Sequence, residues 1–395
     1  LCYDFGVTSL GVYIQVPFCQ TKCTYCNFRT GVVSAARFAP YVDAVCAEIA
    51  GHRGLYERAG VSLPETLAGA VVDSVYIGGG TPSLLDPAHL ERMLDAIRES
   101  FACDFGEVTL EADPETITAE KASAWVAAGI GRVSFGVQSF CDAELQAAGR
   151  MHRRADVFRA MPLLHEAGIS NVSFDLIAGL PGQTAESWRD SLERLGELGP
   201  QHVSIYLLEV DEGSRLGLEI LQGGTRYSAA RVPSEDEMAE FYETACEFLE
   251  HAGYRHYEIS NWGRAGLESR HNLKYWRREP YLGFGAGAHS FSGTQRWANA
   301  HDAAVYVAGI GAGKLPIEQL ESVTRESALE EELFLGLRKL DGIDVALIER
   351  RYGVAVEPRF ARLMSAGLVE REGNCVRLAP GKLSVANEVF VELMR

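Results

Sequence analysis

Long apolar runs are missing from this 395-residue sequence. No stretch approaches the ~18–20 uninterrupted apolar residues that cross a bilayer, so no membrane span is expected and only peripheral membrane contact stays open. The opening residues lack the basic, then apolar, then small pattern of a secretory signal, which predicts a cytoplasmic protein. Basic residues are short in number, 37 Lys and Arg against 54 Asp and Glu, and no cluster of them stands out. A nucleic-acid partner would leave a basic footprint, and none is expected here. Low-complexity segments are absent, and no internal repeat shows beyond an alternation of strands and helices. Cysteine is sparse and uneven: of nine, three crowd into residues 19–26 and the rest are scattered. That excludes a disulfide framework and suggests metal ligands in a reducing compartment.

What is present has the plan of an α/β protein. Short β-branched runs recur at Val12–Val16, Asp73–Ile77, Val108–Ala112, Arg132–Val137, Val172–Ile177 and Val203–Leu208. Helical patterns such as Pro40–Ile49 and Pro87–Phe101 separate them. Near-continuous apolar strands alternating with helices predict a parallel sheet covered outside by helices, here a partial (β/α)6 barrel. Each run ends in polar or glycine residues, among them Pro17-Phe18-Cys19, Gly78-Gly79-Gly80-Thr81, Glu111-Ala112-Asp113-Pro114, Gln138-Ser139 and Asp175 with Gly179-Leu180-Pro181-Gly182. In parallel barrels the C-terminal strand ends form one mouth, where chemistry collects. Near Gly309–Pro316 the composition shifts to small residues. Helices at Ser327–Lys339, Val345–Tyr352 and Pro358–Ala366, then strands at Leu368–Arg371 and Cys375–Leu378, predict a small, mostly helical, winged-helix-like domain. The expected division is 1–310 and 311–395.

Cys19, Cys23 and Cys26 sit in a loop directly after the first strand run. Three thiolates leave one iron of a cubane without a protein ligand, open to a small molecule. A zinc site is the alternative, but zinc normally takes a fourth Cys or His at close spacing. The nearest downstream histidine is His52, and His152 and His165 lie further off.

The CxxxCxxC loop resembles the signature of the radical S-adenosylmethionine (SAM) superfamily. The resemblance implies a [4Fe–4S] cluster on the three cysteines, SAM chelating the open iron, and an external reductant that drives cleavage of SAM to a 5′-deoxyadenosyl radical. It places Tyr25 near adenine and puts Tyr13 in the SAM site. Gly79, Gly80 and Thr81 let backbone approach the methionine ammonium. Glu111 would accept from the ribose hydroxyls, or remain a solvated rim carboxylate. Through essentially the whole chain the motifs resemble the oxygen-independent coproporphyrinogen oxidase group. Gln138, Arg150 and Asp175 match positions that hold a second SAM in its dehydrogenase branch; a polar lining of the mouth is the other reading.

Two branches of that group differ in ways visible here. The dehydrogenase branch has a fourth cysteine where this chain has Phe28, and a longer arm before its first strand. Ser269-Arg270-His271-Asn272-Leu273-Lys274-Tyr275-Trp276 carries an HNxxYW motif typical of the heme-chaperone branch. The resemblance implies heme as a ligand, His271 as its axial ligand with His289 as a second candidate, and an acceptor hemoprotein, perhaps a respiratory one, as partner. On its chemistry alone His271 reads rather as a core histidine beneath an aromatic cluster, and it is the motif that turns the reading to heme ligation. Gln15 and Asn27 depart from the group, which often has His and Asp there. A radical enzyme acting on a porphyrin is the competing function, a homodimer stays open, and no residue is assigned as catalytic.

Overall fold

The computed structural model describes residues 9–394. Six strands fall on the six β-branched runs: β1 (Ser9–Val16), β2 (Val71–Gly79), β3 (Ala102–Ala112), β4 (Arg132–Gln138), β5 (Asn171–Ala178) and β6 (His202–Leu207). They pair in parallel, each with the next. Helices α1 (Phe38–Arg58), α2 (Pro87–Ser100), α3 (Ala119–Ala128), α4 (Asp142–Ala147), α5 (Arg154–Ala167) and α6 (Ala185–Leu198) lie between them. Helices α7 (Arg215–Leu221) and α8 (Glu235–His251) follow β6. Caps explain several boundaries. Thr118, Thr184 and Ser234 accept from the first turns of α3, α6 and α8, and Gly129, Gly168 and Gly199 end α3, α5 and α6 in the left-handed conformation.

The strands are less uniformly apolar than their runs suggest. One face carries Val12, Ile14, Val16, Leu110, Val133, Phe135, Val172 and Phe174, all buried in the main core. The other carries Tyr13, Gln15, Tyr76, Glu111, Ser134 and Asp175, which hydrogen-bond in pairs along a strand or between adjacent strands. A filled hydrocarbon barrel would need branched residues on both faces. Here the interior is polar, so the strands alternate.

Beyond the six expected strands the sheet continues. Next come β7 (Arg255–Glu258), β8 (Asn261–Gly263), α9 (Arg270–Trp276), β9 (Tyr281–Phe284), β10 (His289–Phe291), β11 (Gln295–Asn299), α10 (Ala303–Gly311) and β12 (Ile317–Ser322). β9 adds in parallel to β1, and β10 to β12 extend that edge antiparallel; at the other edge β8 pairs with β6 and β7 with β8, both antiparallel. The order β12-β11-β10-β9-β1-β2-β3-β4-β5-β6-β8-β7 is that of an open barrel. Among the described residues no helix is long and apolar enough to cross a membrane.

The C-terminal segment has a separate core. Helices α11 (Arg325–Arg338), α12 (Val345–Tyr352), α13 (Glu357–Ser365) and α14 (Ala386–Leu393) surround a small sheet of β13 (Ile343–Asp344), β14 (Val369–Glu372) and β15 (Cys375–Leu378). Leu333, Leu337, Tyr352, Phe360, Val376 and Val389 fill it.

A buried carboxylate ties α1 to the added strands. Glu48 accepts from Tyr306 Oη at 2.5 Å, Asn299 Nδ2 at 2.8 Å and the Gly285 amide at 2.9 Å. Burial pushes its carboxyl up to about 7 despite these three donors. The folded chain therefore holds a proton that the unfolded chain has released above about 4.5. Its contribution is fully present below that pH and declines as pH rises towards 7, by up to about 3 kcal/mol. Urea unfolding of Glu48→Gln between pH 4.5 and 7.5 is expected to show a flatter pH dependence than the unaltered chain. An unchanged slope contradicts this.

Candidate functional site

A cavity of about 620 Å³ opens at the C-terminal ends of β1 to β6. Its wall includes Cys19, Cys23, Cys26, Tyr25, Gly79, Gly80, Thr81, Glu111, Gln138, Arg150 and Asp175, all of them expected in the site. Parallel pairing accounts for this convergence, because it brings every strand end to the same rim.

The cysteine loop is closed at its base. The Cys19 amide donates to Gly31 O at 3.0 Å and the Gly31 amide to Pro17 O at 2.9 Å. Further along, the Thr24 amide donates to Ala148 O at 2.9 Å. All three thiols are free, and burial pushes those of Cys19 and Cys26 up. Among the described residues no three His, Cys, Asp or Glu side chains gather to hold a single ion. A cubane gives each thiolate its own iron, so it calls for a cavity bordered by thiols, as found here.

The glycine run prolongs the β1–β2 ladder beneath this loop: the Gly80 amide donates to Val16 O at 2.8 Å and the Thr81 amide to Phe18 O at 2.7 Å. Gly79 has φ of +111°, and a Cβ on Gly80 would strike the Phe18 carbonyl. Only glycine fits both places. Glu111 is held by the Gly79 amide at 2.9 Å and Tyr76 Oη at 3.0 Å. Burial pushes its carboxyl up to about 7, with Asp175 and Asp113 adding to the rise. Ser134 donates to Asp175 at 3.0 Å, and burial raises that carboxyl too. Gln138 has φ of +63°, a strained conformation for a residue with a side chain, where β4 loses register with β5.

Arg150 links the rim to the cysteines. Its guanidinium donates to Cys23 Sγ at 3.4 Å, to Gly136 O at 2.8 Å and to Asp113, whose other oxygen accepts from Thr81 at 3.1 Å. Asp113 was visible in the sequence beside Glu111, yet nothing in the pattern marked it as the partner of Arg150. Tyr206, Ser134 and Glu115 also line the cavity. So do Arg338, Ser384 and Asn387, whose positions far down the chain gave no signal.

Three expected residues lie elsewhere. Tyr13 stacks on Tyr76 with ring centres 6.1 Å apart and donates to Gln15 at 2.7 Å; Tyr76 stands between it and the cavity. His271 is buried under α9, away from the cavity wall. Its Nδ1 lies 3.1 Å from Ser74 Oγ and its Nε2 2.9 Å from Tyr275 Oη, so both nitrogens are engaged. The backbone amides of Arg270 and His271 donate to Glu107, and Lys274 pairs with Asp73 at 2.9 Å. This is the core-histidine arrangement beneath an aromatic cluster. His289 is exposed on β10. Burial, Arg296 and His301 keep it below the usual histidine range.

Residues 13–195 match the radical SAM superfamily and residues 323–380 the HemN C-terminal domain. The heme chaperone HemW of Bacillus subtilis is 35% identical over 96% of this chain and 97% of its own length. The chain belongs to the HemW family. The HemW of Mycobacterium tuberculosis strain H37Rv is 34% identical, covering 92% of this chain and 89% of that one. The mouse mitochondrial radical S-adenosyl methionine domain-containing protein 1 is 36% identical over 71% of this chain and 60% of that protein. The solved structure of coproporphyrinogen III oxidase (HemN) from Escherichia coli, described as a radical SAM enzyme, shares the fold. Its TM-score is 0.81 at 22% identity, over 99% of this chain and 91% of that one. Membership of the superfamily implies a [4Fe–4S] cluster and SAM, and the thiol-lined cavity with its glycine cradle fits them.

The Arg150–Asp113 pair, 10% and 19% exposed, is expected to be costly to break. Asp113→Ala leaves a nearly buried guanidinium without its carboxylate, and a loss of about 2–4 kcal/mol in urea unfolding is expected. A loss under about 1 kcal/mol would show that Cys23 and Gly136 hold Arg150 without it.

Proposed function

We propose that this HemW-family chain is a heme chaperone: it binds a [4Fe–4S] cluster, SAM and heme, and passes heme to an acceptor hemoprotein, a respiratory one first among candidates. The observation that carries the reading is the meeting of Cys19, Cys23 and Cys26 with Gly79–Thr81 and Glu111 on one cavity, in a chain that keeps HNxxYW and has Phe28 in place of a fourth cysteine. In this proposal the three thiolates hold the cluster, Gly79, Gly80 and Thr81 receive the methionine end of SAM, and Tyr25 lies against its adenine. Glu111 takes the ribose hydroxyls, while Gln138, Arg150 and Asp175 hold further polar groups of SAM or a second SAM. Tyr13 supports the site from beneath through Tyr76. An external one-electron reductant serves the cluster, which when reduced supplies the electron that cleaves SAM. Residues 1–310 carry the cofactors and 311–395 complete the cavity. The cytoplasm is the proposed location, and a homodimer and peripheral membrane contact belong to the same proposal.

A second reading, radical chemistry on a porphyrin, is favoured by the full set of polar residues on the cavity wall. Anaerobic incubation with SAM, reductant and coproporphyrinogen III separates the two. The chaperone reading expects no decarboxylated product, and such a product would replace it with the dehydrogenase reading.

Because Glu111 titrates near 7, SAM affinity is expected to rise from pH 6 to pH 8 as the carboxylate that accepts the hydroxyls forms. Glu111→Gln should weaken SAM about tenfold at pH 8 and flatten the profile in equilibrium dialysis. A steep profile in the variant would assign the titration to another group.

Heme ligation by His271 requires its buried ring to be uncovered, since Ser74 on β2 holds Nδ1 and Tyr275, on the same helix, covers Nε2. His289 is exposed on β10, so a ligand reaches it without rearrangement, and its lowered pKa favours the neutral imidazole, the form that ligates. His289→Ala is therefore expected to change the heme Soret band at unchanged thermal stability. His271→Ala should lower stability as well as heme affinity. A Soret change confined to a fully stable His271→Ala would assign ligation to His271 and show that its ring is uncovered.

A further inference from the structure

Arg338, the last residue of α11, reaches from the C-terminal core to the wall of the cavity. Its backbone carbonyl accepts from the Ile259 amide at 3.0 Å, and Tyr242 donates to Ile259 O at 2.5 Å, so these three share one part of the wall. Ser384 and Asn387 line the cavity as well.

The guanidinium is placed but not satisfied. Its central carbon lies 4.4 Å from the centre of the Trp276 ring. It pairs with Glu258 at 3.6 Å, longer than a hydrogen bond, and the side chain is 23% exposed. Arg338 Nε, Glu258 Oε2 and Trp276 Nε1 are all buried without a hydrogen-bond partner among the described residues. A partly buried guanidinium whose carboxylate partner stays beyond hydrogen-bond distance keeps donors for a ligand. The other cations on the wall are differently placed: Arg150 is taken by Asp113 and Cys23, and Lys22 belongs to the cysteine loop. Glu111, Asp113, Glu115, Asp175 and Glu209 make the remaining wall acidic. An anionic group entering this cavity is repelled along most of it and attracted at Arg338.

We propose that Arg338 anchors a carboxylate of the cavity's substrate, and that Trp276, the last residue of HNxxYW, positions it. Resting on the heme reading above, the carboxylate is a heme propionate. A planar guanidinium matches a carboxylate through paired N–H donors, which a lysine cannot reproduce. The motif then has a role apart from iron ligation. His271 fastens α9 to β2 through Ser74, and α9 presents Trp276 to Arg338.

The test is an anaerobic titration of the full chain with heme and with heme dimethyl ester, whose propionates are blocked, followed by the Soret band. The unaltered chain is expected to bind heme about tenfold or more tightly than the ester. Arg338→Met should abolish that preference while leaving ester affinity unchanged, and Arg338→Lys should restore only part of it. Trp276→Phe, which keeps a ring under the guanidinium, should retain most of the preference, whereas Trp276→Ala should lose several-fold. Equal affinity of the unaltered chain for heme and ester overturns the subsite alone. So does an equal loss of both ligands in a folded Arg338→Met, which would mean a structural role. Failure of the unaltered chain to bind heme at all sinks the heme reading and the subsite together. The comparison of the two ligands on the unaltered chain decides the matter even where a variant fails to fold.

Discussion

Arg150 is the tie on which the cavity depends. A guanidinium 10% exposed must be paired and hydrogen-bonded to be tolerated, and its partners come from three separate parts of the chain: Asp113 after β3, the Gly136 carbonyl on β4 and the Cys23 sulfur in the loop after β1. Satisfying one cation therefore fixes the cysteine loop against the barrel rim. Asp113 in turn holds Thr81 at the end of the glycine run, so the cradle and the thiols are set by one connected network.

Much of this was legible in the sequence. The six parallel strands were visible because their outward faces must be apolar to meet helices, and Val12, Ile14 and Val16 or Val172, Phe174 and Leu176 announce that face in every other position. The cysteine loop and the polar strand ends were visible because parallel pairing leaves little choice about where they meet. The added strands β7 to β12 were not, since most span only three to five residues and glycines such as Gly285 and Gly287 interrupt them. Helix α14 escaped notice as well. The character of the lumen was hidden for a different reason: Glu111 and Asp175 read as rim residues, yet they belong to a polar network that runs into the barrel. Burial of His271 depends on Glu107, Ser74 and Asp73, residues more than 160 positions away that receive α9. No local pattern encodes that.

The C-terminal unit acquires a purpose from the same geometry. It has its own core. It nevertheless contributes Arg338, Ser384 and Asn387 to the cavity wall, and Arg338 rests on Trp276 at the end of α9. The HNxxYW segment thus stands between barrel floor and cavity wall, joined to β2 by His271 and to α11 by Trp276.

The central claim, that the cavity serves heme delivery, is tested most directly by transfer itself. The chain is loaded anaerobically with cluster, SAM and heme, freed of excess heme, and mixed with an apo-hemoprotein whose Soret band differs from its own. The account predicts that the acceptor's band rises as the donor's falls, with SAM consumed in at most catalytic amounts. Heme that stays on the chain while SAM is consumed stoichiometrically with a modified porphyrin would contradict it.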